Sequence, residues 1–261
     1  MSAFNRNRIA LCLAAALCPL AASAADLPDA RSLIDRYVEV IGGKKAYEAF
    51  AAVNTMKMTM DIVENGMRAD IVSYSSGQDR VTVMSIAGVG EFRSGYAGGV
   101  AWAMDPMNGP RLLEGKEREQ AIEMGDNKIA LRDAGAIASA KTTVLSESEG
   151  RPCYRVEIKW VSGRETADCY ATEDGLLLSN ETTVNSPMGD MKQISHMLDY
   201  KTYGGVRMAT KMKAAAAGMN QVFTVQSVEP TAPPADTFAL PTAIQALVKK
   251  GAGDTRTEQS Q

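Results

Sequence analysis

From Val53 to about Pro230 the chain runs through short stretches of alternating apolar and polar residues joined by tight turns. A β run of that length restricts it to a large sheet that must curve to cover its own apolar face. Met56, Met58, Met60 and Ile62 alternate with Lys57, Thr59 and Asp61, while Tyr154, Val156, Ile158 and Trp160 alternate with Cys153, Arg155, Glu157 and Lys159. Each set marks a strand with one apolar face. Turns fall at Glu64-Asn65-Gly66, Asp105-Pro106-Met107-Asn108-Gly109, Ser162-Gly163, Glu173-Asp174-Gly175 and Gly204-Gly205. The pattern predicts about eleven antiparallel strands in uninterrupted hairpin order, hence one sheet.

Three stretches depart from the period of two. Leu33, Ile34, Tyr37, Val38 and Ile41 recur at helical spacing behind Asp29, and Gly42-Gly43 ends that helix before a second one over Lys44 to Phe50. Residues 115–138 are rich in helix formers and free of proline, which predicts two short helices around Gly125. Phe238-Ala239-Leu240-Pro241 leads into a short helix through Lys250, and the polar residues 251–261 read as a disordered tail.

Residues 1–24 carry Arg6 and Arg8, an apolar run from Ile9 to Ala22 and the small-residue pattern Ala22-Ser23-Ala24. This reads as an export signal cleaved near Ala24. Cys12 and Cys18 leave with it, and bulky Leu17 argues against lipid attachment at Cys18. Loss of the two arginines takes the formal charge from −3 to −5. With no basic stripe carrying interleaved aromatics, nucleic acid is not an expected partner. Apolar residues at 45% and charged residues at 23% allow a sizeable core.

The mature chain keeps two cysteines, Cys153 and Cys169, on neighbouring strands bound for an oxidising compartment. A two-residue turn at Ser162-Gly163 sets Cys153 opposite Thr172, whereas facing Cys169 needs a hairpin centred on Val161. A disulfide and two buried thiols therefore both stay open. His196 is the only histidine and has no identifiable partner, and no zinc cluster, nucleophile elbow or phosphate loop accompanies it. Strand alternation and turns account for Asp61, Glu64, Asp70 and Asp79 as solvated carboxylates. No catalysis, cofactor or metal is expected.

Four segments carry a resemblance. They are Ile41-Gly42-Gly43-Lys44 at the end of the first helix, Gly95-Tyr96-Ala97-Gly98-Gly99-Val100-Ala101-Trp102 followed by Asp105-Pro106 and Gly109, Asp199-Tyr200-Lys201-Thr202-Tyr203-Gly204-Gly205-Val206-Arg207-Met208, and Phe238-Ala239-Leu240-Pro241. In their order and spacing the chain resembles the LolA-like family of periplasmic carriers that sort outer-membrane lipoproteins, with Ala209 standing where relatives often have proline. The resemblance implies a mainly β fold with helices (α+β), a single antiparallel, incompletely closed barrel with a helical lid over residues 25–250. It further implies a periplasmic carrier whose concave face holds the acyl chains of a lipid or lipoprotein, with an inner-membrane donor and an outer-membrane acceptor as partners. A periplasmic regulator that binds a protein partner through the same shell is the alternative. The residues expected to line the cavity are Met56, Met58, Met60, Phe92, Trp102, Met104, Tyr154, Val156, Ile158, Trp160, Met208 and Met212. Methionine and large aromatics at alternating positions suit core filling as well, so each position has both readings.

Overall fold

The computed structural model describes residues 27–258 apart from 187, 188 and 217; the export signal at 1–24 lies outside the described residues. Helices α1 (Ala30–Val40) and α2 (Gly43–Ala52) precede strands β1 (Val53–Ile62), β2 (Met67–Ser76), β3 (Asp79–Ile86), β4 (Gly90–Ala97), β5 (Val100–Asp105) and β6 (Gly109–Leu112). A helical crossover follows, with α3 (Gly115–Glu123), α4 (Asn127–Ala130) and a single 3-10 turn (Ala134–Ala136). The second set of strands comprises β7 (Ile137–Ser148), β8 (Arg151–Trp160), β9 (Glu165–Ala171), β10 (Leu177–Ser186), β11 (Gly189–Tyr203), β12 (Val206–Ala216) and β13 (Met219–Glu229). Helix α5 (Thr242–Glu258) closes the chain. It runs past Lys250, so residues 251–258 of the expected disordered tail are helical.

Asp29 starts α1 by accepting a hydrogen bond from the Ser32 N–H at 3.0 Å, which satisfies one of the free donors of the first turn. Gly42 breaks the helix at φ 114°, and a Cβ there would stand 2.2 Å from the Gly205 carbonyl oxygen. Only glycine lets the α1–α2 junction lie against the β11–β12 turn, where the Arg207 N–H also donates to the Ile41 carbonyl at 2.9 Å.

All thirteen strands form one antiparallel sheet in the order β6-β5-β4-β3-β2-β1-β13-β12-β11-β10-β9-β8-β7. The expected single sheet is present, with two strands more than predicted. One unforeseen strand is β6, four residues long with Pro110 in it. Proline has no N–H for a ladder, and β6 is an edge strand, where that loss is tolerated.

The edges β6 and β7 are joined through the helical crossover. Helix α3 touches β4 and β5 on one side and β10 on the other. In a flat sheet β5 and β10 would lie roughly 40 Å apart, and a nine-residue helix spans only about 13 Å. The sheet is therefore curled, with α1, α2 and α3 on its concave side. No described helix is long and apolar enough to cross a membrane.

Cys153 and Cys169 are bonded, with Cα atoms 5.4 Å apart. Neither register considered for them occurs. The β8–β9 hairpin is centred on Ser162, so Cys153 pairs with Ala171 and Cys169 with Arg155. The bond crosses the ladder diagonally, which the Cα separation permits. Replacing both cysteines by serine is expected to lower stability by about 3 kcal/mol, because the bond closes a short loop in the unfolded chain. An unchanged urea midpoint in the double variant would contradict this.

Candidate functional site

Register assigns each inner-wall residue to a face. On β3 the concave side carries Arg80, Thr82, Met84 and Ile86, and their β4 partners are Tyr96, Ser94, Phe92 and Gly90. On β1 it carries Met56, Met58, Met60 and Ile62, opposite Ser73, Ile71, Ala69 and Met67 of β2. A bulge at Lys57/Met58 in the β1–β13 pairing keeps Val228 and Val225 opposite Met56 and Met58. Three expected wall residues of β1 thus share one face with Phe92.

Met60, Ala69 and Ile71 form a cluster with Met58, Ile62, Met84, Ile86 and Phe223 around them, the outer five only partly buried. Every member comes from a strand. Met212 continues the same face, with Phe223 on one side and Met197 on the other.

The other half of the concave face is filled by α1. Ala30, Leu33 and Ile34 of α1 pack on Val156, Ile158, Trp160, Tyr170 and Leu177, with Tyr154 and Met197 alongside. Val156, Ile158 and Trp160 are thus buried under a helix, and the Trp160 indole N–H donates to Thr166 Oγ1 at 2.9 Å. Met208 is partly buried opposite exposed Lys201 and belongs to none of the apolar clusters of the described residues.

Trp102 and Met104 are on the opposite, convex face. Trp102 is 1% exposed beneath Ile244 of α5, in a cluster with Val81, Met104, Phe238, Leu240 and Leu247. The expectation that these two line the cavity is corrected by the register, because Trp102 pairs with Gly95 and shares the side of Val81.

Between α3 and the β3–β6 half of the sheet lies a cavity of about 270 Å³, lined by Arg80, Thr82, Ser94, Tyr96, Arg111 and Met124 among others. Its roof is held by polar struts. Arg111 donates two hydrogen bonds to Glu117 at 2.8 and 3.0 Å, the Asn185 N–H donates to Gln120 Oε1 at 3.1 Å, and Lys116 pairs with Asp190 at 3.2 Å. Helix α3 buries none of its side chains.

A buried ionic cluster pins the rest of the crossover. Asp168 of β9 accepts from Arg132 Nε, from the Tyr170 hydroxyl and from Asn180 Nδ2, each at 2.6 Å. Arg132 follows α4 at φ 49°, stacks 5.1 Å from the centre of the Tyr37 ring and donates to the Ala130 carbonyl. Burial alone would push the Asp168 carboxyl up, but the charge and hydrogen bonds of Arg132, Tyr170 and Asn180 hold it below the usual carboxylate range. Burial and the Asp168 charge raise the Tyr170 phenol well above its ordinary value, so it stays a donor.

His196 is on the convex face, where its Nδ1 is 2.8 Å from Ser148 Oγ. Three of the four carboxylates met in the sequence have partners of their own: Asp61 accepts from Arg68 at 2.7 Å, Glu64 from the Asn220 N–H at 2.9 Å and Asp79 from the Gly98 N–H at 3.1 Å.

No family model and no curated protein matches this chain. Among solved structures, a DUF1329 family protein from Desulfovibrio piger superposes with a TM-score of 0.53 at 13% identity, over 82% of this chain and 98% of that one. The chain shares the fold of that protein. A LolA superfamily protein from Nitrosomonas europaea gives a TM-score of 0.49 at 13% identity, covering 82% of this chain and 99% of its own. A putative outer membrane lipoprotein-sorting protein domain from Vibrio parahaemolyticus gives 0.48 at 13% identity, covering 79% and 97%. The single, incompletely closed antiparallel sheet with helices that the resemblance implied is present, and the strand-built cluster and α3 cavity are features of that sheet.

Proposed function

We propose that this protein is an exported carrier that holds the acyl chain of a lipid or lipoprotein against the concave face and passes it between membranes without covalent chemistry. One observation carries the reading. The cluster around Met60 and Ile71 is a contiguous apolar wall made by four strands, and among the described residues no apolar side chain of a helix belongs to it. Its counterpart under α1 is a closed core. Unbranched, polarizable methionines suit a wall that adapts to a flexible chain. Each methylene removed from water contributes about 0.8 kcal/mol, so walls alone retain a chain of about a dozen carbons. The export signal read at residues 1–24 supports a periplasmic location for such a carrier.

Native mass spectrometry of the mature protein, followed by lipid extraction, is expected to find an acylated adduct, and the delipidated protein is expected to take up dansyl-undecanoic acid. Met84→Asp sets a carboxylate in the wall at a partly buried position and is expected to weaken uptake at least about tenfold. A lipid-free protein that takes up no probe overturns the reading, as does undiminished uptake by the variant.

A further inference from the structure

The concave face is graded along its strands. At the end covered by α2 and α3 it shows Ser73 and Ser75 on β2, Arg80 and Thr82 on β3, and Ser94 and Tyr96 on β4. Toward the opposite end the same three strands show Ile71 and Ala69, Met84 and Ile86, and Phe92. From Arg80 to Ile86 the extended backbone covers about 20 Å, so a polar end and an apolar end lie one molecule's length apart.

Arg80 stands out in the polar end. Its Nε is fully buried with no hydrogen-bond partner, and among the described residues no carboxylate pairs with its guanidinium. Arg111, which lines the same cavity, has Glu117, and the buried Arg132 has Asp168. Arg80 is partly buried, and even partial removal of a guanidinium from water without an opposing charge is unfavourable. Burial pulls its pKa below the ordinary arginine value, with the nearby Tyr47 phenol opposing, yet an arginine stays charged. Arg80 and Arg111 set against Glu117 leave the cavity one positive charge in excess, and Ser94 and Tyr96 of the same lining carry hydroxyls that can donate, while the Thr82 hydroxyl is shared with Ser73 at 3.0 Å. A rigid fork of donors with hydroxyls around it is the chemistry that recognises a carboxylate or a phosphate.

We infer that the α3 cavity is an anion-binding subsite in which Arg80 takes the headgroup of an anionic amphiphile whose chain runs along the Met84–Ile86 wall. The inference rests on the carrier reading and names its ligand class. A neutral acyl chain would occupy the wall and leave Arg80 unpaired. A free anion would pair with Arg80 but gain nothing from the wall.

The test compares dansyl-undecanoic acid with its methyl ester, and competition by inorganic phosphate with competition by a lysophosphatidate, on the wild-type protein and on Arg80→Met and Arg80→Lys. Loss of a charge-assisted pair is expected to weaken binding of the acid about tenfold to a hundredfold in R80M, with partial recovery in R80K. The ester is expected to bind both variants like the wild type, and lysophosphatidate to compete where inorganic phosphate does not. R80M is expected to melt no lower than the wild type, since it removes a partly buried charge that no carboxylate pairs. Equal binding of acid and ester by wild type and R80M would overturn the inference while leaving the carrier reading in place. Competition by inorganic phosphate at the same concentration as lysophosphatidate would overturn the amphiphile assignment. If neither probe binds the wild type, both readings fall.

Discussion

Replacing Asp168 by alanine is expected to remove about 3–5 kcal/mol of stability, a large part of what a domain of this kind has in total. The carboxylate is fully buried, and its removal strands Arg132, itself only 12% exposed, together with the Tyr170 hydroxyl and the Asn180 amide. The pair's net value is smaller than this cost, because each ion was desolvated to form it. Arg132→Met combined with Asp168→Leu should therefore recover much of the loss that either alanine variant causes. The same site fixes a pH dependence. The folded carboxyl titrates below its unfolded value, so its contribution is complete above the ordinary carboxylate pKa and disappears as pH falls through the lower, folded one. Acid unfolding of the wild type should accordingly steepen below about pH 4, and Asp168→Asn should flatten that limb. Denaturant midpoints across the acid range measure it; a D168A protein as stable as the wild type would show that the cluster does not hold the crossover.

Strand periodicity made the sheet legible. Hairpin turns, the early helices, the break at 115–138 and the all-antiparallel order could be read because each rests on local chemistry: an alternation of two, a glycine in the left-handed region, or a cap such as Asp29. The Asp168 cluster could not be read in that way. Asp168 lies in a strand buried on both faces, and its partner Arg132 comes from a short helical turn thirty-six residues earlier in the chain. Nothing in either local pattern distinguishes that pair from solvated charges. Arg80 was equally silent, because a strand-end arginine is ordinary until the register puts it under α2 and α3 with no carboxylate beside it. The disulfide was half legible: the two cysteines sit on adjacent strands as expected, but a loop one residue different from the assumed turn made their contact diagonal.

Trp102→Ala is expected to cost about 3–5 kcal/mol while leaving acyl-probe uptake by the folded protein within about twofold of the wild type. In sequence, Val100, Trp102 and Met104 alternate with Ala101 and Ala103, which shows that the three large residues share a face and leaves unsaid which one. What decides it is the cover. Residues 238–247, far along the chain, lay Phe238, Leu240, Ile244 and Leu247 over the convex side, and Trp102 becomes the centre of a second core on the face opposite the concave wall. Truncating the indole opens a large void there and loosens α5 from the sheet. The indole N–H is also buried without a partner, so Trp102→Phe keeps most of the packing, removes an unsatisfied donor and should cost far less than alanine. Thermal melts of the two variants, read with dansyl-undecanoic acid binding at a temperature where both are folded, separate the roles. Loss of binding in a folded W102A protein would return Trp102 to the cavity wall, whereas lost stability with binding kept assigns the two faces to two tasks: the convex face to holding the sheet in its curve and the concave face to the ligand.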